Sequence, residues 1–167
     1  MNKSYTKHLL LLPLFVLLQV FVLNEILFFR YINPYLYLIL IISFPLKTPK
    51  WFLLSYAFTL GFIIDLFSYS LGFHSTAIVF MAFVKNIISK ITIPYSILDE
   101  TDDITLRKIG TKSFVVFSLF LILIHNGILF VLEHLDLNLK ILFKVIASSS
   151  VTLVIILILE IFKSSKK

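Results

Sequence analysis

Charged side chains are missing from most of this chain. No Asp, Glu, Lys or Arg occurs in Leu9–Leu23, Tyr31–Leu46, Trp51–Ile64, Leu66–Val84, Ser113–Leu132 or Val145–Leu159. Each run approaches or reaches the roughly 20 apolar residues that an α-helix needs to cross a bilayer. Only helices and closed barrels satisfy their backbone in lipid, and runs of this length specify helices. Across 167 residues, 59% are hydrophobic and 14% charged, against about 25% charged in an average soluble domain. The expected fold is an all-α, polytopic integral membrane protein, a compact bundle of about six transmembrane helices in a single domain.

The spans are expected at 9–29, 34–46, 51–68, 73–93, 113–135 and 139–162, with a polar loop at 94–112. Six spans of about 20 residues use about 120 residues, so no soluble catalytic domain fits in the remainder. The first span begins like a signal peptide, but Asn24, Glu25, Ile26 and Leu27 follow it rather than a small-residue cleavage site, so it reads as uncleaved. The second span is short and bracketed by Pro34 and Pro45, a thin place in the bundle wall. Tyr31, Tyr35 and Tyr37 suit an interfacial aromatic belt. Lys85 interrupts the fourth span and is expected to snorkel. The loop, with Asp99, Glu100, Asp102 and Asp103 ahead of Arg107, Lys108 and Lys112, reads as solvated with a short helical turn. Gln19 reads as glue between helices, and Ala147–Thr152 as a small polar patch of close helix contact.

The formal charge of +6 does not point to nucleic acid, because the basic residues sit at span ends. With both termini in the cytoplasm, Lys3, Lys7, Lys47, Lys50, Lys85, Lys90, Arg107, Lys108, Lys112, Lys163, Lys166 and Lys167 lie inside, 12 of 15 basic residues. Arg30, Lys140 and Lys144 remain on the exterior side. That bias follows the positive-inside rule. The absence of cysteine excludes disulfides, thiolate metal sites and cysteine nucleophiles.

The polar stretch with most chemical content is Gly61–Ile78, GFIIDLFSYSLGFHSTAI. It reads as one helix ending, a tight turn at Gly72, and another beginning. Ala57, Gly61 and Asp65 recur at i, i+4, with Ser68 three further on. Small residues on one face let a neighbouring helix approach, which puts Asp65 on the packing face. One reading makes Asp65 a helix-end carboxylate bonded to Ser68 or to the start of the fourth span. Another has it meet His74, His125 or Asn126 in a polar cluster. No hydrolase elbow, HExxH, P-loop, Gly-rich dinucleotide turn or EF-hand is present, and no metal or cofactor is expected.

Four stretches carry a family resemblance: Asn33–Leu40 (NPYLYLIL), Phe44–Trp51 (FPLKTPKW), Gly61–Ala77 and His125–Glu133 (HNGILFVLE). With the chain length, the acidic loop and the basic tail, they resemble the bacterial rod-shape-determining membrane protein family MreD, in its Bacteroidetes-like form. Members often carry a second histidine where this chain has Asn126. The resemblance implies the fold of energy-coupling-factor substrate-binding subunits and a non-enzymatic role in the cytoplasmic membrane. It implies an MreC-like bitopic partner and, indirectly, MreB filaments, a peptidoglycan polymerase and a penicillin-binding transpeptidase. Asn33, Pro34, Tyr35 and Tyr37, with the Asp65–His74 turn, are then expected to form an exterior rim that receives the partner. Two other classes stay open: a small-molecule-binding subunit of a transporter, and a small membrane enzyme.

Overall fold

The computed structural model describes residues 3–24, 32–98, 103–135 and 138–165. Helix α1 (Lys3–Leu18) continues through a π-helical turn, Gln19–Leu23; α2 (Leu38–Ser43) is short; α3 (Lys50–Ser68) and α4 (Phe73–Thr92) form a hairpin; α5 (Tyr95–Leu98) and α6 (Leu106–Ile109) are single turns; α7 (Thr111–His134) and α8 (Leu139–Ser165) form a second hairpin. Five helical stretches, Tyr5–Leu23, Lys50–Ser68, Phe73–Thr92, Thr111–His134 and Leu139–Lys163, are long and apolar enough to cross a membrane. The chain is an all-α, multi-pass membrane bundle.

Residues 34–46 are the departure from the expected six long helices. They hold only the six-residue helix α2. Phe44 precedes Pro45 and takes ψ 143°, as the clash with a following proline ring dictates, and this ends α2. Pro34–Pro45 is also buried without interruption. The segment is therefore no thin part of a wall. It is the axis of the bundle, and the long helices surround it.

Placing it there raises a demand. Six helical residues cannot satisfy their own backbone ends, and non-helical backbone at membrane depth is tolerated only where protein supplies partners. Polar residues of the surrounding helices supply them. Gln19 Oε1 accepts from the Leu36 N–H at 2.9 Å, and its Nε2 donates to the Pro34 carbonyl at 3.0 Å and to Asn24 Oδ1 at 3.0 Å. Ser148 Oγ accepts from Asn33 N at 3.3 Å and Thr152 Oγ1 from Tyr35 N at 3.1 Å. At the other end Lys85 Nζ donates to the Phe44 carbonyl at 2.6 Å. The Ile104 N–H donates to the Ser43 carbonyl at 3.1 Å.

Two expectations change here. Lys85 does not snorkel, since it is fully buried and caps the C-terminal end of α2. The described part of the 94–112 loop is not simply solvated. Ile104 and Ile109 are buried, Asp103 pairs with Lys7 at 3.1 Å, and Leu106 N donates to Glu160 Oε2 at 3.3 Å. Asp99, Glu100 and Asp102 lie outside the described residues.

The role of Gln19 makes a prediction. Gln19→Leu removes the partners of two buried backbone groups, at about 1–3 kcal/mol each. The melting temperature in detergent should fall by many degrees, whereas Ser150→Ala should leave it nearly unchanged, because Ser150 is exposed and bonds only its own helix. Equal melting of the two variants would show that Gln19 does not hold the axis.

Candidate functional site

The turn between α3 and α4 is built for close approach. Tyr69 ends α3 at φ 52° and Gly72 opens α4 at φ 85°, a left-handed conformation that glycine adopts without strain. Further down, a Cβ on Gly61 would stand 2.5 Å from Ser75 Cα and 2.8 Å from Ser75 N. Only glycine lets the two backbones come this near.

That proximity sets the environment of Asp65, which is 4% exposed. Its Oδ1 accepts from the Ser70 hydroxyl at 2.5 Å and the His74 N–H at 3.0 Å. Its Oδ2 accepts from the Ser75 N–H at 2.9 Å and the Ser75 hydroxyl at 2.5 Å. The carboxylate thus caps the α4 N-terminus from the neighbouring helix, where both the free amides and the helix dipole favour negative charge. Of the two readings of Asp65, the geometry is that of a carboxylate bonded to the start of α4, with Ser70 and Ser75 rather than Ser68. Ser68 Oγ instead accepts from Asn24 Nδ2 at 3.1 Å.

His74 carries the network inward. The Tyr37 hydroxyl lies 3.0 Å from His74 Nδ1 and 2.9 Å from His125 Nε2. His125 Nδ1 lies 3.0 Å from Asn126 Oδ1, and Asn126 Nδ2 donates to Ser149 Oγ at 2.9 Å. One continuous chain of hydrogen bonds, His74–Tyr37–His125–Asn126–Ser149, ties α4, the axis, α7 and α8 together.

The structure thus brings Asp65, His74, Tyr37, His125 and Asn126 into one connected cluster, with Gly61 and Gly72 shaping the hairpin beside it. Pro34 and Asn33 belong to the Gln19 and Ser148 contacts instead. Asn33 Nδ2 reaches the Tyr35 hydroxyl at 3.5 Å, and its buried Oδ1 has no hydrogen-bond partner among the described residues. Tyr35 and Tyr37 are 2% and 0% exposed, so they form neither an aromatic belt nor a rim. Their hydroxyls find partners inside, which lets these amphipathic rings serve as core. Tyr31 lies outside the described residues. Sequence reasoning did not assign Ser148 and Thr152 to the backbone of 33–35. The signal was a proline-bracketed segment too short to span, whose backbone needs outside partners.

No known protein family, curated protein or solved structure matches this chain.

Proposed function

We propose that this protein is a non-enzymatic membrane scaffold of the MreD type in the bacterial cytoplasmic membrane. It holds an MreC-like bitopic partner and so supports the cell-elongation machinery and regulated peptidoglycan synthesis. The observation that carries the reading is the filled axis. The bundle centre is occupied by Pro34–Pro45, and the cluster around Tyr37 bonds its members to one another. The interior polar groups hold helices in place, which leaves the outer surface and the two ends for recognition. A small-molecule-binding subunit of a transporter would need room where this segment lies.

Orientation is part of the proposal. Lys7, Lys47, Lys50, Lys90, Arg107, Lys108, Lys112 and Lys163 cluster at one end of the bundle, which we place in the cytoplasm with both termini. The axis returns the chain across the bundle, so five long helices still leave the termini on one side. Reporter fusions at Lys50 and Lys167 should read cytoplasm and a fusion at Tyr69 the exterior; a cytoplasmic signal at Tyr69 would break the arrangement.

The partner-facing rim moves from the buried tyrosines to the α3–α4 turn, where Tyr69 is 96% and Leu71 87% exposed. The chain has no native cysteine, so Tyr69→Cys and Leu71→Cys should cross-link in intact cells to cysteines just outside the membrane span of the MreC-like partner. Tyr95→Cys, at the opposite end, should not. Cross-links from Tyr95 alone would refute the rim.

A further inference from the structure

A recess of about 770 Å³ opens where α7 ends and α8 begins, lined among the described residues by Ile32, His134, Asn138, Leu139, Lys140, Ile141, Phe143 and Lys144. Its chemistry is divided. Ile32, Leu139, Ile141 and Phe143 make apolar walls, and two lysines supply positive charge. Lys144 is held in place, 3.6 Å from Glu133 and 4.3 Å from the centre of the Phe130 ring. Lys140 is exposed and has no hydrogen-bond or ionic partner among the described residues.

Two general rules disfavour lysines at this place. The chain collects its basic residues at the other end of the bundle, and these are two of the three set apart from them. Lys140 also lies in the first turn of α8, which holds no acidic residue, and a cation there opposes the helix dipole. An anion in the recess would offset both penalties. Free anions have little use for apolar walls at a membrane boundary, whereas a lipid presents a phosphate and hydrocarbon together.

We propose that this recess is a binding site for an anionic phospholipid, with Lys140 and Lys144 on the phosphate headgroup and the apolar walls around the first part of its chains. The site does not depend on the scaffold reading. It would fix a lipid against the α7–α8 hairpin, at the end of the bundle that carries the α3–α4 turn.

The test uses the full chain, purified in detergent, stripped of lipid and titrated with phosphatidylglycerol or phosphatidylcholine, with bound lipid counted by native mass spectrometry. Wild-type protein should retain phosphatidylglycerol at about twenty-fivefold lower concentration than phosphatidylcholine, given that each of the two lysines near an anionic lipid headgroup contributes about a fivefold preference. Lys140→Gln with Lys144→Gln should remove most of that preference, and Leu139→Trp should weaken retention by filling the recess. Lys50→Gln with Lys90→Gln, at the opposite end, should change nothing. If loss of the Glu133 contact unfolds the double variant, Lys140→Gln alone decides, with an expected loss of about fivefold. Equal retention of the two lipids, equal loss in the Lys50 and Lys90 control, or displacement by glycerol phosphate at the concentration where lipid binds would each overturn the site.

Discussion

Gly61→Leu should yield no folded protein, and even Gly61→Ala should lower the melting temperature by many degrees. The added Cβ would meet backbone, Ser75 Cα at 2.5 Å, together with Ile78 Cγ2 at 2.8 Å. Backbone cannot rotate away as a side chain can, so α3 and α4 must separate. Overpacking of this kind costs about 1–3 kcal/mol in well-packed cores. Here a second loss follows, because the same displacement pulls Ser75 from Asp65, whose bonds to it run from 2.5 to 2.9 Å. Gly127→Ala is the matched control, since a Cβ there meets nothing within 4 Å. It should be neutral or slightly stabilising, as alanine is the better helix former by about 1 kcal/mol. The folded yield of Gly61→Leu, and thermal unfolding of Gly61→Ala and Gly127→Ala in one detergent, check the claim. If Gly61→Ala melts with Gly127→Ala, the hairpin is looser than described.

Asp65→Leu should be the second most damaging change. Four donors lose their acceptor: the Ser70 hydroxyl, the His74 and Ser75 amides and the Ser75 hydroxyl. An orphaned buried group costs about 1–3 kcal/mol, and a whole domain is stable by only about 5–15 kcal/mol. The folded fraction by size-exclusion chromatography should fall severalfold. Asp65→Asn keeps one acceptor oxygen and the side-chain shape, so it should lie between wild type and Asp65→Leu. A leucine variant with wild-type yield and melting would reduce Asp65 to an incidental residue.

These two positions were legible before any coordinates. The i, i+4 stripe of Ala57, Gly61 and Asp65 placed the carboxylate on a helix-packing face, and the uncharged runs marked the five long helices together with a sixth stretch, 31–46, that does not form one. The position of Pro34–Pro45 was not legible, for a physical reason. A segment that is apolar all round is compatible with lipid and with protein on every side, and the pattern YLYLILII has no polar face to tell them apart. Tyrosine adds to the ambiguity, because it suits a membrane boundary and a core that supplies hydroxyl partners. Lys85 was misread for the same reason. Its long stem permits snorkelling, and only the buried carbonyl of Phe44, at the C-terminal end of α2, explains why it stays inside.

The axis also bears on how the chain must be made. The backbone amides of Asn33 and Tyr35 take side-chain hydroxyl partners 115 and 117 residues later in the sequence, in α8. At translation speeds of about 5–20 residues per second, those amides wait roughly ten seconds for Ser148 and Thr152 to emerge. During that interval a bare stretch of backbone would be costly in hydrocarbon. The segment's backbone therefore has its full set of partners only once the last helix is in place, and a chain cut short before α8 would lack two of them.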